Sequence, residues 1–362
     1  MTVQLGHPAA DQVVKGRMFS YNNIIDKREP PNKAVLEACI ASASVSDAAQ
    51  PTLRHMPDMP PGLDAWVVDN FLTQDECCSL IAACDNIGWS FWRSQHEDAP
   101  LAGNDGMGDP ALARLTQDSP CGDCDSDVMK KARAFRTADT IEVHLPLTSV
   151  LLWRRLAPFF VASTASNCVT FNEQSDPETF ERDCEGTWYP LKFSEDMLFA
   201  RYLTDGHFAP HVDGSSIVDF NHRTMYTVLI YLNDCASGGE TRMLSGDQCD
   251  VLEHDAASGR IRGNGRNVVY DMKPSAGAAI VFRYNVLHEG VAVAEGCSKF
   301  ILRGDVIYQR RPQLLNDDND RKAFEIYQRA RVLEATGDAF GAASLFKQVR
   351  RHSAAMAEVY QL

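Results

Sequence analysis

The second half of the chain is cut into apolar segments too short and too closely spaced for long helices. From residue 188 onward they fall at 197–203, 224–232, 248–253, 267–272, 278–284, 290–294 and 299–308, with Gly-Gly, Asn-Gly and Pro-Ser turns between them. β-Branched and aromatic residues recur in each. This pattern predicts an antiparallel β core of the sandwich or barrel kind.

The first half reads differently. Residues 66–72 form a strand candidate, and Thr73 followed by Glu76 makes a capping box for a helix running to about Asp85. That helix presents Cys77, Leu80, Ile81 and Cys84 on one face. A second helix is expected over 148–157. Residues 1–62 lack a sustained period, apart from a short helix expected near 33–44, and form an N-terminal arm. Residues 94–130 form a long Gly/Asp/Ser/Pro-rich insertion with a short helical stretch at 110–116, and 161–186 an acidic connection. After Arg310-Arg311-Pro312, helices are expected at 322–335 and 339–351, broken at Thr336-Gly337-Asp338. Ala330, Leu333, Ala342, Ala343 and Phe346 suit close antiparallel packing there. The pair resembles one tetratricopeptide (TPR-like) unit, and capping of the β domain is its expected role, with partner docking the alternative. The expected class is α+β, with an arm at 1–62, a main domain at 63–311 and a helical hairpin at 312–362.

Charge narrows the partners. With 35 basic and 49 acidic residues in 362, the net charge is −14, opposite in sign to what a phosphate backbone attracts, so no nucleic-acid partner is expected. No basic region with an apolar run opens the sequence, and no stretch is long and apolar enough for a membrane span. A cytoplasmic or nuclear setting without a membrane partner is therefore expected. Eleven cysteines, an odd number, several within apolar segments, read as reduced small hydrophobes. The one close pair, Cys121 and Cys124, reads as unliganded, with a disulfide or half a metal site as alternatives.

The chemistry centres on His211-Val-Asp213. Residues i and i+2 of an extended chain point the same way, so an imidazole and a carboxylate can reach one ion. His288 is the best third ligand from another strand, and two histidines with one carboxylate leave positions open on a non-haem iron. His207 and His222 compete, and a zinc site from His207, His211 and His288 stays open at this point. Beyond His288, alternation puts Lys299, Ile301 and Arg303 on one strand face and Phe300 and Leu302 on the other. A cation buried in a β core needs an anion beside it.

These residues belong to a longer run: Phe199-Ala-Arg-Tyr202, Gly206-x-Phe-x-Pro-His211-x-Asp213, Thr227-x-Leu-x-Tyr231-Leu-Asn233, Gly238-Gly-Glu-Thr241, Pro274-x-x-Gly277, Phe282, Leu287-His288-Glu289, Lys299-Phe300 and Val306-x-Tyr308. In order and spacing the run resembles the prolyl 4-hydroxylase-like Fe(II)/2-oxoglutarate-dependent dioxygenases, most strongly over 197–308 and more broadly over 64–310. The resemblance implies a double-stranded β-helix (jelly-roll), with Fe(II) on His211, Asp213 and His288. It implies Lys299 as clamp for the distal 2-oxoglutarate carboxylate, Tyr231 as a donor to it, Tyr202 lining that pocket, and Gly239 and Gly277 in tight turns. Arg303 is then not the primary clamp. The implied cofactors are Fe(II), 2-oxoglutarate and O2, with ascorbate as a stimulant. The implied reaction couples decarboxylation to succinate and CO2 with hydroxylation of an unactivated C–H.

Substrate class is less constrained. The loop at 214–223 is expected to overhang the metal, and the loop at 253–266 carries Arg260, Arg262 and Arg266 in an otherwise acidic chain. Together they form an expected groove for a peptide or protein, with proline the first candidate by analogy of fold alone. A free amino acid or other small metabolite is the alternative, and a non-catalytic scaffold on the same fold is the rival class.

Overall fold

The computed structural model describes residues 33–41, 50–54, 63–91, 133–162, 168–172, 182–246, 251–255 and 259–362. Cys121, Cys124 and the helix expected at 110–116 lie outside them. The helices are α1 (Lys33–Ala41), α2 (Gln74–Ile87), α3 (Pro146–Ala162), α4 (Asp318–Ala335), α5 (Ala339–His352) and α6 (Ala354–Val359). The first strands are β1 (Thr52–Leu53), β2 (Ala65–Asp69), β3 (Ser90–Phe91), β4 (Arg136–Thr137), β5 (Asp139–His144), β6 (Val169–Phe171), β7 (Gly186–Phe193), β8 (Asp196–Tyr202) and β9 (His207–His211). They are followed by β10 (Ile217–Asp219), β11 (His222–Tyr231), β12 (Thr241–Leu244), β13 (Leu252–His254), β14 (Ile261–Gly263), β15 (Val268–Met272), β16 (Ala279–Arg283), β17 (His288–Gly290) and β18 (Lys299–Arg311).

Two antiparallel sheets form a jelly-roll. The larger runs β1-β2-β16-β11-β18-β8-β5-β3, with β7 pairing β18, β6 pairing β7 and β10 pairing β11, and the smaller runs β15-β12-β17-β9-β4. Alternation divides the larger sheet into two faces. One face carries Phe193, Phe199, Val228, Val281, Leu302 and Val306 against the helices. The other carries Ala200, Tyr202, Leu229, Tyr231, Ile280 and Ile301 towards the smaller sheet.

The helices follow from local chemistry. Thr73 Oγ1 accepts the Glu76 N–H and the Glu76 carboxylate accepts the Thr73 N–H, so the capping box is realised. Glu76 is also buried beneath Arg155 of α3 (2.7 Å), whose guanidinium reaches the Phe71 carbonyl at 3.2 Å. One carboxylate thus starts α2 and locks it to α3. The arm is less detached than its composition predicts, because α1 buries Leu36 and Ile40 in the same core. Gly277 shows why the turn before β16 needs glycine: its φ is +78°, and a Cβ there would lie 2.3 Å from the Leu72 carbonyl oxygen.

The C-terminal segment has three helices where two were expected. Its core is Ala323, Phe324, Ile326, Tyr327, Val349 and Met356, packed on Ile217 and Phe220. Leu333 and Phe346, expected at the centre, are only partly buried. Two hydrogen bonds tie the linker down: Asn221 Nδ2 donates to the Leu314 carbonyl, and the Leu314 N–H donates to Asn221 Oδ1. No helix among the described residues is long and apolar enough to cross a membrane.

Candidate active site

His211 ends β9 and His288 opens β17, and the two are direct partners across the smaller sheet. Asp213 follows two residues beyond His211, and one ligand atom from each of the three lies within 4.8 Å of the others. His211 Nε2 is 3.6 Å from Asp213 Oδ1, and His288 Nε2 is 3.8 Å from Asp213 Oδ2. Both rings spend Nδ1 on backbone carbonyls, of Ala209 (2.7 Å) and Val286 (3.0 Å). That choice fixes the Nδ1–H tautomer and leaves both Nε2 lone pairs facing the carboxylate.

The electrostatics suit a cation. Burial, then the neighbouring His211, pushes the His288 pKa down to about 3, so the ring is neutral and able to ligate. Burial opposes ionisation of Asp213, but Arg303 and the two histidines outweigh it and hold the carboxyl well below its usual range. Asp213 Oδ2 is buried without a hydrogen-bond partner. An orphaned carboxylate oxygen between two imidazole lone pairs is the arrangement a divalent metal would satisfy, so the donor set fits Fe(II).

The competing histidines are accounted for. Between the pairs His211↔His288 and Phe208↔Gly290, β9 spends one residue more than β17. This bulge stacks Phe208 on the His211 ring, centroids 3.6 Å apart. His207 sends its two nitrogens to the carbonyls of Asp205 and Ala134, and His222 meets Asp219 and Gln309. Among the described residues, His211, Asp213 and His288 form the one metal-competent group.

Lys299 opens β18 directly opposite Tyr202 and is 4% exposed. Its Nζ lies 5.6 and 5.5 Å from the Tyr202 and Tyr231 ring centroids and donates to Thr241 Oγ1 at 3.3 Å. Tyr231 OH donates to the same oxygen at 2.8 Å. Among the described residues this ammonium forms no ion pair within 4.0 Å, and burial, only partly offset by Cys235 and Glu240, lowers its pKa to about 8. Gly239 makes the fit possible, since a Cβ there would press on Cys235 Sγ (3.1 Å) and Lys299 Cδ (3.4 Å). Sequence reasoning missed Thr241, although its place closing the Gly238-Gly-Glu-Thr241 run was a usable signal.

The two expected substrate loops are placed otherwise. Residues 217–219 form β10, pairing with β11, and Ile217 and Phe220 are buried under the C-terminal helices. That segment is a docking surface for the chain's own tail, leaving Gly214 to Ser216 as its part nearest Asp213. The 253–266 loop is the β13–β14 hairpin, and its Gly263 N–H donates to Glu289 (2.7 Å). Glu289 follows His288 on β17 and so points to the opposite face of that sheet. The hairpin is thus anchored on the face of β17 that Glu289 occupies, opposite His288. Arg260 faces Asp205 at 3.5 Å, Arg262 faces Glu253 at 3.4 Å, and Arg266 lies exposed on the turn before β15.

The comparisons agree with this geometry. Residues 197–304 match the family model described as the 2OG-Fe(II) oxygenase superfamily. No curated protein sequence matches the chain significantly. Among solved structures, a Pseudomonas putida prolyl-4-hydroxylase is 18% identical, covering 69% of this chain and 94% of that one at a TM-score of 0.34. A non-heme alpha-ketoglutarate-dependent carbocyclase from nogalamycin biosynthesis is 11% identical, covering 73% and 90% at a TM-score of 0.34. Similarity at that level does not discriminate between substrates. The segment that holds the triad and Lys299 thus matches the 2OG-Fe(II) oxygenase superfamily, whose members use Fe(II), 2-oxoglutarate and O2.

Proposed function

We propose that the protein hydroxylates an unactivated C–H of a residue in a peptide or protein, with His211, Asp213 and His288 as the iron ligands. The observation that carries this reading is the pairing of two unmet demands in one cavity. Asp213 Oδ2 lacks a hydrogen-bond partner, and Lys299 is a buried cation that forms no ion pair within 4.0 Å among the described residues, with Glu240 acting on it only from farther off. A metal answers the first and a dicarboxylate chelating that metal answers the second. Iron, 2-oxoglutarate and O2 would supply the oxidising chemistry when bound: one oxygen atom of O2 ends in succinate as CO2 leaves, and the other in the hydroxylated C–H.

The protein's own share is positional. The Ala209 and Val286 carbonyls hold the two rings in one tautomer. Lys299 and Tyr231, joined through Thr241 Oγ1, receive the distal carboxylate, while Tyr202 walls the same pocket. Phe208 and Phe282 pack against His211 and His288 and shield the ligands from water.

A prolyl residue is the first candidate supplied by the resemblance to prolyl 4-hydroxylases. A free amino acid or small metabolite is the second reading, favoured by the burial of Ile217 and Phe220, which removes one jaw of the expected peptide groove. The test is metal analysis together with succinate release from the purified protein, with and without candidate substrates. The wild type should hold one Fe(II) per chain and turn over 2-oxoglutarate slowly even alone. His211→Ala, Asp213→Ala and His288→Ala should lose both iron and turnover. Unchanged iron content in these variants would remove the triad from the account.

A further inference from the structure

The cavity wall beside Asp213 carries more charge than iron binding uses: Arg303 helps to keep Asp213 ionised, but Asp305 and Glu142 take no part in that. Arg303 lies four residues along β18 from Lys299, on the same face, with Asp305 next on that face. In register, Arg303 pairs with Leu198, and Leu198 with Glu142 of β5. Ile141 and Val143 enter the helix-side core, so Glu142 stands on the cavity side. Arg303 Nη2 is 3.2 Å from Asp305 Oδ1 and 3.7 Å from Asp213 Oδ1. Arg303 and Asp305 keep 28% and 18% of their side-chain surface exposed, so the pair borders open space next to the metal ligands. The Arg303 Nε is buried without a hydrogen-bond partner.

These facts count against three kinds of substrate tip, the prolyl candidate among them. A carboxylate would approach Asp305 and Glu142, which already outnumber the one guanidinium. An ammonium would approach Arg303 and a divalent metal. An apolar ring, such as that of proline, would cover the exposed parts of Arg303 and Asp305 and offer neither of them a hydrogen bond. A neutral group with both an acceptor and a donor meets none of these penalties.

We propose that Arg303 and Asp305 read a carboxamide on the substrate, its carbonyl oxygen accepting from Arg303 and its N–H donating to Asp305. The residue entering the cavity is then of the asparagine or glutamine type, oxidised at a carbon beside the amide. This inference rests on the oxygenase reading of the same site and narrows its substrate.

The experiment uses the full chain loaded with Fe(II) and 2-oxoglutarate, measuring succinate by mass spectrometry. The probes are otherwise identical capped peptides carrying Asn, Gln, Asp, Lys or Pro, alongside free asparagine and glutamine. Substrate-independent succinate is the control for the chemistry: its absence sinks the oxygenase reading itself. With it present, Asn or Gln probes should raise succinate release at least tenfold more than Asp, Lys or Pro probes. The free and capped arms distinguish a metabolite from a peptide as the source of the amide. Stimulation by Pro alone, or by no probe, overturns the inference.

The decisive variant is Asp305→Asn, which removes the nearest of the carboxylates around Arg303. It should shift the ratio of Asp-probe to Asn-probe turnover at least tenfold towards the carboxylate. A merely structural role for Asp305 would lower both rates and leave that ratio unmoved, and an unmoved ratio refutes the assignment.

Discussion

Replacing Lys299 by methionine should make the empty protein more stable and its co-substrate binding much weaker. The fall of the Lys299 pKa from 10.5 to about 8 corresponds to roughly 3 kcal/mol of unfavourable burial. Methionine keeps the length without the charge, so the empty variant should gain about 1–3 kcal/mol, as buried charges replaced by apolar groups often do. Binding moves the other way. A charge-assisted hydrogen bond is worth roughly 1.5–3 kcal/mol, and its midpoint of about 2 kcal/mol is a thirtyfold rise in Kd. At a 2-oxoglutarate concentration of about 100 Kd, the wild type gains about 2.7 kcal/mol from ligand, and the variant only about 0.9.

The pH dependence carries the same signs. Below about 8 the ammonium persists and binds the anion. As the pH rises through about 8, affinity should fall, by about tenfold at pH 9, because the neutral amine has no charge to offer. Stability of the empty protein runs oppositely: the unfolded chain binds the extra proton between about 8 and 10.5, so stability rises across that window. Thermal melts of the iron-loaded protein with and without 2-oxoglutarate, at pH 7 and 9, read all of these quantities. If the methionine variant melts lower when empty and still gains the full ligand shift, Lys299 is not the clamp.

Three further outcomes follow from the packing. Truncation before Asn319 should lower the melting temperature and expose apolar surface to a dye such as ANS, because Ile217 and Phe220 lose their cover. Phe220→Ala should cost about 3 kcal/mol in denaturant unfolding, and no measurable loss would mean the tail is only loosely apposed. Glu289→Ala should speed hydrogen exchange across β13–β14 about tenfold or more, since it removes the carboxylate bound to the Gly263 N–H.

What was legible in the sequence depends on which face of a strand the residues occupy. Strands whose helix-side face is mostly apolar are legible from periodicity: β8, β11, β16 and β18 begin or end within a few residues of expectation. The triad was legible because His211 and Asp213 keep period two and His288 follows an apolar strand. β5 was missed because its cavity face is Thr140, Glu142 and His144, so half of its residues read as loop. β7 was missed because Pro190 argues against a strand interior, yet it lies beside the register shift between Ile307 and Tyr308, where a ladder donor is dispensable. The bulge that brings Phe208 over His211 has no signature in composition. Nor has the tail's cover over Ile217 and Phe220, since contacts a hundred residues apart leave no local period. Arg303 has no role in the expected site, because one cation suffices for the distal carboxylate and Lys299 is the expected clamp. Its true neighbours, Asp213, Asp305 and Glu142, come from three separate segments and meet only when β5, β8 and β18 lie side by side. Polarity is what hid these strands from a hydrophobic reading, and in a jelly-roll whose interior holds a metal, that polarity belongs to the site.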